Sequence, residues 1–126
     1  MKLRHPLATA HNHGAAGDGV GHWWAQRFSA IVLALLVVWL ILAMNALIGA
    51  DHAAASAWLG RPFNAAMAIL FVVFSIYHGK LGLQVVIEDY IKHRAAEVIL
   101  HLLVKIAAIV GIAVAVLSIL KLALGG

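Results

Sequence analysis

The sequence has no cysteine, two prolines and few charges. The missing cysteine excludes disulfide bonds and thiolate metal ligands, so any metal would need histidine or carboxylate. Charged residues make up 11% of the chain, about half the share usual in soluble proteins. Such a chain lacks the polar surface that covers a soluble core. Hydrophobic residues make up 64%, and this composition predicts a membrane protein.

The formal net charge is +4, but the basic residues are scattered, so we expect no nucleic acid partner. The N-terminus lacks the apolar core of a signal peptide. Residues 1–20 are predicted to be a polar cytoplasmic tail, and 21–126 a single membrane domain. His5, His11 and His13 in the tail are interpreted as solvated side chains, because no carboxylate or cysteine flanks them.

Three apolar stretches, at about 28–48, 63–86 and 98–124, each reach the ~20 residues needed to cross a bilayer. They predict an all-α membrane protein with three transmembrane helices, linked by 49–62 and by a short turn near 91–95. The second helical pattern runs from Pro62 to Tyr90. At ~43 Å it exceeds the ~30 Å of hydrocarbon. We therefore expect roughly 64–84 to lie in lipid and the last turns to project from it.

Basic residues predict the orientation, because they favour the cytoplasmic side. Six fall on the side of the N-terminus and second link, against Arg61 and Lys121 on the other. We expect a cytoplasmic N-terminus and a C-terminus on the opposite side. The six are Lys2, Arg4, Arg27, Lys92, Arg94 and Lys105.

His78 is the unusual residue of the second helix, because it is expected ~9 Å inside the hydrocarbon edge, where a polar group is costly. Ser75 and Gly82 share its helix face, and Gly79 flanks it. Small residues there indicate either close helix packing or room for a flat macrocycle. The imidazole is therefore either a hydrogen-bonding group or a haem ligand.

A second axial histidine from this chain is not expected. His101 is predicted to lie outside the membrane boundary, a depth mismatch near 13 Å with His78. His22 precedes the first span and is also too shallow. If two histidines hold a haem, another subunit supplies the second.

The stretch "GHWWAQRFSA" lies at the entrance of the first span. It is typical of an interfacial aromatic belt with a cytoplasmic arginine. Alternatively, Arg27 binds an anionic group such as a haem propionate, near the interface that Asp89 and Tyr90 reach. Ser29, just inside the span, is either a hydroxyl that faces a bound ligand such as a quinone or a small packing residue.

Two motifs together make the chain resemble the D-type hydrophobic membrane-anchor subunits of succinate dehydrogenase, respiratory complex II. One is "HWWAQRFSA". The other is the run "HGKLGLQVVIEDY", which begins at His78 and ends with Asp89 and Tyr90. The resemblance extends from about Gly21 to the C-terminus.

The resemblance implies that His78 is an axial ligand of haem b and that the larger C-type anchor subunit supplies the other ligand. It also implies that this chain packs with the C-type subunit around the shared haem. It implies that Arg27 lies near the haem propionates, that Tyr90 helps to bind ubiquinone, and that Asp89 belongs to the same site. A flavoprotein and an iron–sulfur subunit would oxidise succinate outside the lipid.

The expected function is therefore to anchor a succinate:ubiquinone oxidoreductase of the citric acid cycle and electron transport chain in the bacterial inner membrane. The chain would have no complete active site of its own. Two other functions stay open from the residues alone. One is a small transporter or channel subunit with His78 as a proton-relay group, and the other is a purely structural assembly factor.

Overall fold

A computed structural model describes residues 16–125. Most of the predicted tail, with His5, His11 and His13, lies outside these residues. Within them the chain forms four helices: α1 (Ala16–Leu47), α2 (His52–Leu59), α3 (Pro62–Tyr90) and α4 (Arg94–Ala123). Three helical stretches, Gly19–Leu47, Pro62–Tyr90 and Arg94–Ala123, are long and apolar enough to cross a membrane. The predicted all-α fold with three candidate spans is confirmed for the described part of the chain.

The bounds of α3 are those predicted. Pro62 occupies the first turn, where its missing N–H costs nothing, and the helix ends where Ile91 adopts an extended conformation. In contrast, α1 already begins at Ala16, within the predicted tail and before the predicted span at 28. Apolar length predicts the membrane portion of a helix, and helical structure continues beyond it into polar sequence.

The first link contains a helix that the sequence analysis did not predict. Gly49 ends the preceding segment with a φ of 75°, a left-handed conformation suited to glycine. Asp51 then caps α2, because its side chain accepts a hydrogen bond of 2.8 Å from the Ala54 N–H. Trp58 of α2 stacks on Trp39 of α1 at 6.0 Å between ring centroids. The link is therefore a packed element.

α3 is the helix that packs against both α1 and α4, and α2 packs against α3 and α4. α1 and α4 run antiparallel to α3, as the cross-helix contacts described below require. Few side chains are buried by this arrangement. The buried apolar residues are Leu36, Ala43, Leu81 and Ile87. Large apolar side chains cover the outside, which suits a bundle surrounded by lipid and by other membrane helices.

Candidate functional site

His78 meets α1 through a hydrogen bond. Its Nδ1 lies 2.9 Å from Oγ of Ser29, and the same Oγ lies 3.0 Å from the main-chain oxygen of Gln26. Ser29 is fully buried, with no exposed area, whereas the His78 side chain is half-buried. The imidazole is therefore held on one edge by α1, and within the described residues its Nε2 has no hydrogen-bond partner.

The Ser29–His78 contact fixes the relative depth of α1 and α3. Arg27 lies two residues before Ser29, about 3 Å along α1, whereas Tyr90 lies twelve residues after His78, about 18 Å along α3. Both offsets point towards the same end of the bundle. Arg27 and Tyr90 are therefore separated by roughly 15 Å along the axis. Arg27 was predicted near the interface that Asp89 and Tyr90 reach, and this separation does not agree with that prediction.

The other histidines of the bundle lie at different depths. His101 of α4 contacts Glu88 of α3 at 3.8 Å, which places it ten residues, about 15 Å, from the level of His78. His22 precedes Ser29 by seven residues, about 10 Å along α1. The predicted depth difference between His78 and His101 agrees with this register.

Open surface surrounds the backbone near His78 on α3. A Cβ atom added at Gly79 would meet nothing within 4 Å, and one added at Gly82 would meet only Nε2 of Gln26 at 4.0 Å. Gly82 lies one turn beyond His78 on the same face. The described chain therefore leaves the α3 backbone open one residue and one turn beyond His78.

Two polar atoms on this part of α1 are buried without a partner in the described chain, Nε2 of His22 and Oε1 of Gln26. His22, Gln26 and Ser29 follow the spacing of one helix face. A buried polar atom left unpaired costs about 1–3 kcal/mol. These two atoms therefore indicate a hydrogen-bonding group from outside the described residues.

Arg27 is exposed on the surface of α1, and its guanidinium lies 5.3 Å from the ring centroid of Trp23. Trp23 in turn meets Trp24 edge to face at 5.1 Å. The arginine is held by an aromatic contact and keeps its hydrogen-bond donors available for an anion.

Asp89 and Tyr90 form the last turn of α3, and both are exposed. Tyr90 has 78% of its surface accessible. The main-chain oxygen of Asp89 accepts a hydrogen bond of 3.0 Å from Nζ of Lys92. This turn presents a phenol and a carboxylate at the end of the bundle, where either a ligand or a second protein chain can reach them.

Comparison with known proteins identifies the family of this chain. Residues 1–120 match the profile of the succinate dehydrogenase/fumarate reductase transmembrane subunit family. The chain belongs to this family. A succinate dehydrogenase hydrophobic membrane anchor subunit of Rickettsia conorii is 39% identical over 107 residues, which cover 84% of this chain and 85% of the relative.

Two further relatives carry similar names. The succinate dehydrogenase hydrophobic membrane anchor subunit of Paracoccus denitrificans is 31% identical over 127 residues, covering 99% of this chain and 96% of the relative. The succinate dehydrogenase membrane anchor subunit of Reclinomonas americana is 33% identical over 95 residues, covering 73% and 79%. No solved structure matches at a significant level.

For a family member, the arrangement around His78 fits a haem better than a metal ion bound by several side chains. No group of three or more histidine, cysteine or carboxylate side chains occurs within the described part of the chain. A single imidazole with one free ring nitrogen could bind the iron of a haem, for which histidine is a common ligand. Two further observations agree with a large bound group that has polar substituents. The backbone is open at Gly79 and Gly82, and two buried polar atoms on α1 have no partner among the described residues.

His78 and Ser29 were each predicted from the sequence, but the hydrogen bond between them was not. The residue spacing within each helix contains no information about this pairing, because it depends on the relative depth and rotation of the two helices. The buried side-chain oxygen of the half-buried Gln26 was also not predicted. Its position three residues before Ser29 was the available signal, since both then lie near one helix face.

Proposed function

We propose that this chain is the D-type anchor subunit of a succinate:ubiquinone oxidoreductase. In this proposal it packs with a larger C-type anchor subunit and holds a flavoprotein and an iron–sulfur subunit at the membrane. Membership of the transmembrane subunit family supports the proposal, as do the anchor-subunit names of its relatives. The apolar outer surface of the three long helices supports a location inside the membrane.

His78 would bind the iron of haem b through Nε2, while Ser29 holds the opposite edge of the imidazole. Arg27, at nearly the same depth and with free donors, would bind a haem propionate. When bound, haem b would supply a one-electron redox centre within the membrane. His101 and His22 lie too far along the bundle to provide a second axial ligand, so that ligand would come from the C-type subunit.

Tyr90 and Asp89 would contribute to the ubiquinone site at the end of α3. Reduction of the quinone consumes two electrons and two protons. The Tyr90 hydroxyl can donate a hydrogen bond to a quinone oxygen and stabilise the negative charge that develops there. Asp89 can orient neighbouring polar groups or pass a proton. The exposure of both side chains supports contact with a group outside this chain.

One observation carries the haem proposal more than any other. The His78 imidazole is anchored at Nδ1 by a fully buried hydroxyl, and its Nε2 is free within the described chain. A histidine that only joined two helices would need no open surface beside it. Here the neighbouring glycines leave that surface open.

The test is purification of the complex through a tag on this chain. We expect a flavoprotein, an iron–sulfur protein and a second anchor subunit to co-purify, and an absorption spectrum with low-spin b-type bands. His78→Ala should remove or alter these bands, because the iron loses its ligand from this chain. His101→Ala is the matched control and should preserve them.

Loss of the bands in His101→Ala with retention in His78→Ala would contradict the ligand assignment. Purification without any redox protein would instead favour a transporter, a channel subunit or an assembly factor. In the transporter alternative His78 would serve as a proton-relay group, and its replacement would abolish proton-coupled transport in a preparation without haem.

A further inference from the structure

Ser29 is the fully buried polar residue of the described bundle, and its hydroxyl lies between two partners on different helices. It contacts the main-chain oxygen of Gln26 on α1 and Nδ1 of His78 on α3. No water can compete for a hydroxyl with no accessible surface. Both contacts must therefore be satisfied by the single hydroxyl proton and the lone pairs of Oγ.

The chemistry of the two partners decides which way the protons point. The Gln26 carbonyl can only accept, so the hydroxyl donates its proton there. Oγ then accepts from His78, which must carry its proton on Nδ1. In the opposite arrangement, the hydroxyl would donate to Nδ1, and two oxygens 3.0 Å apart would face each other with no proton between them. The first arrangement satisfies both contacts and is therefore favoured.

A neutral imidazole with its proton on Nδ1 has its lone pair on Nε2. This is the tautomer that binds a metal through Nε2. The bond also fixes the rotation of the ring about its side-chain torsions, because Nδ1 is tied to a rigid helix. Ser29 thereby determines both which nitrogen is available and the direction in which it points.

We propose that Ser29 is a positioning residue for His78, which selects the Nδ1–H tautomer and orients Nε2 towards the haem iron. This inference rests on the proposed role of His78 as an axial ligand. It assigns Ser29 a role other than quinone contact or simple packing. A ligating histidine whose other N–H is hydrogen-bonded is also more basic, and loss of that partner typically costs tenfold to a hundredfold in metal affinity.

The experiment uses the complete complex purified with Ser29→Ala, Ser29→Thr or Ser118→Ala. Ser118 is the matched control, because its hydroxyl makes the same kind of bond to a main-chain oxygen, 2.8 Å to Val114, on α4. Haem content after dilution, the electron paramagnetic resonance spectrum of the oxidised haem and its midpoint potential are measured. None of these depends on catalytic activity.

We expect Ser29→Ala to assemble and to bind haem about tenfold to a hundredfold more weakly. Its low-spin resonance should shift, because the imidazole loses its fixed orientation. The potential should rise, since a less basic ligand stabilises the oxidised iron less. A tenfold loss of affinity for the oxidised form alone corresponds to about 59 mV. Ser29→Thr keeps the hydroxyl and should restore the spectrum, and Ser118→Ala should match the unaltered complex.

Two results would overturn the inference. One is a Ser29→Ala complex with unaltered haem retention, resonance spectrum and potential, provided that His78→Ala loses the haem. Ser29 would then have no role in positioning, and the role of His78 would stand. The other is an equal loss in Ser29→Ala and Ser29→Thr with Ser118→Ala unaltered, which would indicate packing. Retention of the haem by His78→Ala would instead refute the underlying ligand assignment.

Discussion

A polar side chain inside an apolar bundle needs a hydrogen-bond partner, and the polar residues of α1 fall into two groups in this respect. Ser29 finds both partners within the chain, on its own helix and on α3. His22 and Gln26 each keep a buried atom without a partner in the described chain. The first case fixes an imidazole, and the second indicates a hydrogen-bonding partner outside the described residues.

The hydroxyl of Tyr90 is predicted to matter for quinone reduction and not for assembly. Tyr90→Phe removes the proposed hydrogen bond to the quinone oxygen and keeps the ring, so assembly and haem content should be preserved. Quinone reduction by succinate should fall roughly tenfold to a thousandfold, if the bond contributes ~1.4–4 kcal/mol in the transition state. Succinate oxidation with an artificial acceptor that bypasses the quinone site should be nearly unchanged.

Tyr77→Phe is the matched control for this measurement, because Tyr77 lies on the same helix about 20 Å from Tyr90 along its axis. Its loss of a hydroxyl should leave quinone reduction unaltered. An equal fall of both activities in Tyr90→Phe would show that Tyr90 is structural. Unchanged quinone reduction would show that the site is built by partner subunits.

The ends of individual helices could be predicted from local signals in the sequence. Pro62 and the polar end at Tyr90 predicted α3 to the residue. The capping signal of Asp51 before an alanine-rich run was present for α2 but was not used. Pairing between helices is different, because Ser29 and His78 are 49 residues apart, and no periodicity within either helix determines how they dock.

This docking also changes the depth expected for α1. If 84 marks the hydrocarbon edge on α3, six residues after His78, the Ser29–His78 bond places the edge on α1 six residues before Ser29, at Trp23. The predicted span began at 28, so the two predicted edges disagree by about 8 Å. With Trp23 at the edge, the tryptophan pair occupies the interface that such residues favour. Arg27 then lies about 6 Å inside, where it needs an anionic partner.

The close approach of α3 and α4 at Gly111 predicts how substitutions there change thermal stability. A Cβ atom at Gly111 would meet Cδ1 of Ile76 at 3.5 Å, an ordinary contact distance. Gly111→Ala should therefore leave the thermal stability of the purified complex nearly unchanged. Gly111→Leu must displace Ile76 or separate the helices, at a cost of typically 1–3 kcal/mol. We expect a lower melting temperature in a thermal unfolding assay, and equal stability of the two variants would contradict this packing.

For the whole molecule, the described bundle is a thin layer of helices with little interior of its own. Its buried residues are few, and its surface is covered by apolar side chains. Lipid can cover such a surface, but hydrocarbon cannot supply a hydrogen-bond partner to the buried side-chain oxygen of Gln26. The molecule is therefore best understood as one part of a larger membrane assembly, as its family membership indicates.

The last prediction concerns the orientation of this assembly. The three long helices place the start of α1 and the link between α3 and α4 on one side, and α2 with the end of α4 on the other. Six basic residues against two predict that the first side is cytoplasmic. Reporters fused to chains ending at Gly60, His93 and Gly126 should read external, cytoplasmic and external. The reverse order would refute the orientation and keep the three spans, whereas equal readings at His93 and Gly126 would refute α4 as a span.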